Sequence, residues 1–156
     1  LNQNLMLFFT GFTRFSSDIQ KANAVKQNEK VTWLSQMYDL VGEAEKILTN
    51  EEADLDEFGR LLHHTWQLKR KTGSAVSTDD IDKLYSRGRE AGAVGGKLLG
   101  AGGGGFLLFY VRPEHQQAVR KAMDGLLQIP FQFENSGTQV VHYTPEEYIP
   151  KEQEMS

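Results

Sequence analysis

Three observations predict an α+β fold, a ferredoxin-like βαββαβ sandwich with extra helices inserted in its first crossover. Apolar runs of strand length stand at Leu5–Phe9 (LMLFF) and Phe106–Val111 (FLLFYV). Three stretches with helical apolar spacing lie between them. A further helix and a strand pair follow, and strand, helices, strand, strand, helix, strand is the order of that architecture. The 156 residues suit one domain and contain no internal repeat or low-complexity linker.

Taken in order, Leu5–Phe9 reads as a buried strand stopped by Thr10-Gly11. Ser16 or Ser17 can cap a short helix over Asp18–Ala24. Val31, Leu34, Met37/Tyr38, Val41, Ala44 and Leu48 recur at helical spacing, so Val31–Leu48 is expected to bury that stripe. Asp54 with Glu57 resembles a capping box opening a second helix, with the stripe Leu55, Phe58, Leu62 and Leu68, which ends at Thr72-Gly73. Ser77 and Asp80 announce a third helix carrying Ile81, Leu84 and Tyr85, with Gly92 as its C-terminal stop. Lys97-Leu98-Leu99 is a short strand candidate ahead of the strong run at Phe106–Val111. Pro113 suits the first turn of a helix over Glu114–Leu127. Phe131–Phe133 and Thr138–Tyr143 are expected to pair as a final hairpin around Asn135-Ser136-Gly137.

Hydrophobic residues make up 39% and charged residues 24%, the balance of a globular protein. A net charge of −4 argues against nucleic acid as a main partner. No apolar run approaches the roughly 18 residues that would span a bilayer, so no membrane role is expected. The absence of cysteine removes disulfides and thiolate metal sites and agrees with a cytoplasmic setting. The chain opens at Leu1 and is in a strand-like run within a few residues, which predicts a piece of a longer protein.

Between Gly92 and Gly105 the texture changes, with eight of the chain's fifteen glycines. Gly100-Ala101-Gly102-Gly103-Gly104-Gly105 lies between two strand signals with its backbone N–H groups exposed. Successive amides in such a bend form a nest that attracts anions, phosphate above all. It is neither a P-loop, which ends in Gly-Lys-Ser/Thr, nor a dinucleotide fingerprint, which opens a helix. Glycine content alone leaves two readings open, a flexible hairpin tip and a backbone that must come close to a ligand.

The stretch Gly95–Phe106 (GGKLLGAGGGGF), preceded by a helix and followed by an apolar strand, resembles the third motif of the GHMP kinases. Leu5–Arg14, Phe58–Lys71 and Ile81–Tyr85 are similar to the matching parts of bacterial D-glycero-D-manno-heptose 7-phosphate kinases in that family. The resemblance implies the C-terminal domain of an ATP-dependent sugar or sugar-phosphate kinase, over residues 1–156. It further implies ATP and Mg²⁺ as cofactors and transfer to the anomeric hydroxyl of a heptose 7-phosphate. The phosphate-cradling loop and the aspartate base belong to an N-terminal nucleotide-binding domain that is missing here. No catalytic residue and no metal ligand is therefore assigned within this chain, which is not expected to catalyse alone. Lys97 and Gly100, Ala101, Gly102, Gly103, Gly104 and Gly105 are expected to face the nucleotide phosphates and substrate.

For the substrate, the residues allow paired readings. Trp66, Lys69 and Arg70 share a helix and form either a surface for a phosphorylated sugar or a buried Trp beside a basic helix end. Arg14 follows the first strand and either meets the sugar or decorates a turn. His63-His64 lacks the spacing of a metal site. The alternative function is a stand-alone ferredoxin-like module for RNA or a small ligand, since Gly103–Tyr110 (GGGFLLFY) echoes an RNA-recognition strand without its basic residue.

Overall fold

The computed structural model describes residues 1–11, 27–100 and 104–140. Four strands, β1 (Leu5–Phe9), β2 (Ala93–Leu99), β3 (Phe106–Val111) and β4 (Leu127–Ile129), form one sheet in the order β2-β3-β1-β4. All neighbours are antiparallel. Among the described residues four helices accompany them, α1 (Gln27–Thr49), α2 (Asp56–Lys71), α3 (Asp79–Glu90) and α4 (Gln116–Ala122). The first three fall between β1 and β2 and the fourth between β3 and β4. This is the expected βαββαβ order with helices inserted in the first crossover.

Strand alternation decides where the core sits. Met6 and Phe8 of β1 are buried while Leu5, Leu7 and Phe9 are half-buried. Their register with Phe109 and Leu107 of β3 puts all four side chains on one face. There they meet Val111, Ala93 and Leu98 from the sheet, Ile81 and Tyr85 from α3, Trp66 from α2, and Val119 and Met123 around the end of α4. At Gly88 of α3 an added Cβ would stand 2.7 Å from Phe109 Cε1, so only glycine lets α3 lie this close to the sheet.

The helix ends follow local chemistry. Thr78 caps α3, its Oγ1 accepting from Ile81 N at 3.3 Å, and Gly92 leaves the helix at φ +110°. The expected box at α2 takes another form. Asp54 Oδ1 accepts from Asp56 N at 3.0 Å, while Glu57 pairs with Arg60.

Three sequence expectations need correction. The stripe expected on α1 is split: Val31 is 60%, Tyr38 78% and Val41 63% exposed, while Met37 and Ala44 are half-buried. Trp33, Leu40 and Ile47 join those two on the half-buried face of a helix that packs against α2. Both sets recur at helical spacing, so periodicity alone could not choose between them. The helix expected over Glu114–Leu127 is shorter, a 3-10 turn at Pro113–His115 followed by α4. Gly125 at φ +89° turns the chain, and Leu127 opens β4. The fourth strand is therefore β4 and not the expected hairpin, because residues 131–140 carry no strand and residues 141–143 lie outside those described. The helix expected over Asp18–Ala24 also lies outside the described residues.

Candidate functional site

The glycine run joins β2 to β3, with Ala101, Gly102 and Gly103 outside the described residues. Gly100 has φ +124° and Gly105 φ +114°, a region that side chains avoid. An added Cβ on Gly105 would collide with the Leu99 carbonyl oxygen, so the two strands converge more closely than any other residue would allow. Thr10, just past β1, clamps this neck. Its backbone N–H and its hydroxyl both donate to the Gly105 carbonyl oxygen, each at 2.9 Å. The loop is thus a narrow-necked bend anchored to the central strand.

β2 reaches the loop along the edge of the sheet, and α2 lies against that edge. Gly95 makes the approach possible. A Cβ there would overlap the Gly59 carbonyl oxygen and stand 2.7 Å from its carbon. Gly96 serves the neighbouring strand instead, since a Cβ there would collide with the Leu108 carbonyl oxygen of β3. A buried polar contact ties the same strand to α3. The Tyr85 hydroxyl donates to the Gly96 carbonyl oxygen at 3.2 Å and stands 2.7 Å from His63 Nδ1. Because the carbonyl can only accept, satisfying both contacts assigns the proton on His63 to Nδ1. Burial pushes the Tyr85 hydroxyl up to about 12 and holds His63 below the usual histidine range.

Beside the loop neck, α1, α2 and β2 enclose a pocket of about 260 Å³. Met37, Thr65, Trp66, Lys69, Lys97, Leu98, Leu99 and Gly100 line it. The structure therefore brings Trp66, Lys69, Lys97 and Gly100 together from three separate elements. Trp66 is 1% exposed, and its Nε1–H has no acceptor among the described residues. Lys97 is half-buried, and its ammonium is held below the usual lysine range by burial first and by the Lys69 charge second. Neither lysine forms an ion pair with a carboxylate among the described residues.

Arg70 goes elsewhere. Its guanidinium pairs with Asp82, whose other carboxylate oxygen accepts from Ser77 Oγ at 2.7 Å. That pair sits in a second, wider groove with Lys71, Ser74 and Thr78, where acidic and basic groups balance. Arg14 lies outside the described residues, as do Ala101, Gly102 and Gly103. Met37, Thr65 and the Thr10 clamp were not singled out from the sequence. Nothing in spacing marks them, since each acquires its place only when α1, α2 and β1 reach the loop.

Comparison with known proteins bears on the whole of this arrangement. The family profile described as GHMP kinases C terminal matches residues 44–127, from the end of α1 to the start of β4. The chain is 30% identical over 124 residues to a D-glycero-alpha-D-manno-heptose 7-phosphate kinase of Campylobacter jejuni, covering 79% of this chain and 36% of that protein. It is 37% identical over 93 residues to a mevalonate kinase of Pyrococcus horikoshii, covering 58% of this chain and 27% of that one. The chain thus spans about a third of the length of these relatives. Among solved structures, the Methanococcus jannaschii mevalonate kinase superposes with a TM-score of 0.65 at 24% identity, over 80% of this chain and 37% of that one. A putative sugar kinase from Campylobacter jejuni superposes with a TM-score of 0.55 at 27% identity, over 86% of this chain and 37% of that one. By the profile match over residues 44–127, the chain belongs to the GHMP kinases, matching their C-terminal part.

Proposed function

We propose that this chain forms one wall of the active site of an ATP-dependent kinase that phosphorylates a hydroxyl of a sugar or sugar phosphate. The substrate we favour is a heptose 7-phosphate, with its anomeric hydroxyl as acceptor, in the cytoplasm where ATP is supplied. The observation that carries this reading is the narrow-necked glycine loop between β2 and β3, lying inside the segment matched by the family profile. Similarity to the Campylobacter jejuni heptose 7-phosphate kinase supports the choice of sugar.

Phosphoryl transfer is governed by positioning and by charge stabilisation more than by covalent chemistry of the protein. The residues present fit the phosphate side of that task. Glycines at the loop neck leave room that a Cβ would fill, and two ammonium groups with no carboxylate partner among the described residues stand next to it. ATP supplies the phosphoryl group, with Mg²⁺ offsetting its charge. Among the described residues no three His, Asp or Glu side chains are grouped to hold a metal ion. Lys97 and Lys69 bring positive charge to the rim of the loop, and Gly100, Ala101, Gly102, Gly103, Gly104 and Gly105 bring backbone amides. The N-terminal domain of the intact enzyme supplies the aspartate base and the main nucleotide loop.

The test uses the protein expressed with the coding sequence that precedes Leu1. ATP turnover is measured with heptose 7-phosphate, mevalonate and homoserine as acceptors. Turnover is expected with the heptose phosphate, and Gly103→Val is expected to lower it at least 100-fold while circular dichroism stays unchanged. Turnover that Gly103→Val leaves intact would reduce the loop to a hairpin tip and remove this reading.

A further inference from the structure

The pocket beside the loop neck holds a set of groups that the fold itself leaves unsatisfied. Lys97 is half-buried and faces Lys69 across the pocket, with no carboxylate near either among the described residues. Burying an ammonium next to a like charge costs free energy, and nothing in the core repays it. Trp66 lends the pocket its ring, while its indole N–H is buried away from solvent. Two ammonium groups with no carboxylate partner among the described residues, lining one cavity, describe the complement of a compact anion.

Two features narrow the anion. Two ammonium groups match the charge of a phosphate monoester, about −1.5 to −2 near neutral pH, better than that of a single carboxylate. Met37, Leu98 and Leu99 give the remaining walls an apolar surface suited to the carbon skeleton that carries the phosphate. Gly100 belongs to both the pocket and the loop, so a group seated here lies next to the loop backbone.

We propose that Lys69 and Lys97 form a phosphate-binding subsite, occupied by the phosphate group that the sugar substrate already carries. The identity of that substrate rests on the kinase reading, whereas the binding of phosphate does not. The same chemistry is offered by the terminal phosphate of a nucleotide, and the experiment separates the two.

The 156-residue chain is titrated by calorimetry with glucose 6-phosphate, glucose, ADP and inorganic phosphate at constant ionic strength. Saturable binding of glucose 6-phosphate is expected, with none by glucose. Lys97→Met and Lys69→Met should each weaken it at least tenfold, and Lys97→Arg should restore most of the loss. Lys71→Met, in the neighbouring groove, should leave it unchanged. ADP binding more tightly than glucose 6-phosphate, with the same lysine dependence, would assign the subsite to the nucleotide and overturn the substrate assignment. Absence of binding tighter than about 10 mM, or binding indifferent to both lysine substitutions, would overturn the subsite itself. Should Lys97→Met fail to fold, the exposed Lys69 carries the test. Lysine-dependent phosphate binding in a protein whose full-length form turns over no ATP would keep this subsite and remove the kinase reading. ATP turnover without phosphate binding here would do the reverse.

Discussion

Replacing Gly95 by alanine tests how rigid the seam between α2 and β2 is. A Cβ at Gly95 would overlap the Gly59 carbonyl oxygen, stand 2.7 Å from Gly59 C and approach His63 N at 3.1 Å. All three are backbone atoms of α2, so no rotamer change relieves the clash. Carbon atoms settle at about 3.5–4.0 Å, so the helix must retreat by roughly an ångström. That helix buries Leu62, Trp66 and Leu68, and their contacts would move with it. Overpacking typically costs about 1–3 kcal/mol and more where the backbone must shift. We expect at least about 3 kcal/mol here, or a fall in Tm of roughly 6–12 °C for a chain of this size. The partner substitution is the control. A Cβ at Gly59 would meet Tyr110 Cδ1 at 2.7 Å and Val94 Cγ1 at 3.0 Å, both side-chain atoms that can yield. Alanine also favours the helix over glycine by about 1 kcal/mol, so Gly59→Ala should cost no more than about 2 kcal/mol. Urea unfolding of the two variants measures the difference. If Gly95→Ala proves as mild as Gly59→Ala, the seam is plastic and the reasoning fails.

Three further outcomes follow from particular groups. Asp56 is 5% exposed, and the Arg112 guanidinium, 2.8 Å away through Nε, holds its carboxyl below the usual carboxylate range. Its contribution is present in full above about pH 4 and is lost as pH falls through the lowered native value. Asp56→Asn should therefore cost about 1–3 kcal/mol at pH 7, a gap that closes in acid when unfolding is followed across pH. Tyr85 stays protonated in the fold up to about 12 but ionises near 10 when unfolded, so stability falls between those values. Tyr85→Phe should shrink that alkaline loss by roughly 2–3 kcal/mol, while at pH 7 it loses the contact to Gly96. On α1, Tyr38→Lys should change stability by less than about 0.5 kcal/mol, whereas Leu40→Ala, on the half-buried face, should cost more. The reverse order in thermal unfolding would restore the face expected from the sequence.

The two strong strands were legible to the residue, because Leu5–Phe9 and Phe106–Val111 are continuous apolar runs bounded by a polar residue or glycine. β2 was legible only in its last three residues. Ala93-Val94-Gly95-Gly96 has little strand character, and the register slips between Ala93 and Gly95, a bulge that brings no sequence mark of its own. α4 was overextended because Leu126 and Leu127 continue its apolar spacing, leaving Asp124-Gly125 as the only sign of a turn. The glycine loop could be found at once, but the pocket could not. Trp66 and Lys97 are 31 positions apart, and only the packing of α2 on β2 brings them together.

That packing also explains why the seam needs glycine where the sheet could have taken a larger residue. Along α2, Gly59, His63, Trp66 and Lys69 succeed one another at helical spacing and meet β2 in the same order. Gly59 and His63 lie on Gly95, the His63 ring reaches Gly96 through Tyr85, and Trp66 and Lys69 stand with Lys97, Leu99 and Gly100. Ten residues of helix from Gly59 to Lys69 rise about 15 Å. Five residues of strand from Gly95 to Gly100 rise about 16 Å. The two elements therefore run in step, and the contact at the glycine seam sets where Lys69 stands relative to the loop. A slip of α2 by one turn would move Lys69 about 5.4 Å along the strand and separate it from Lys97. A bulkier seam would let the helix choose its own depth and register. Glycine at position 95 brings the strand against the helix backbone, which fixes both, and the position of the charged pocket is set at the far end of the helix from the residues that form it.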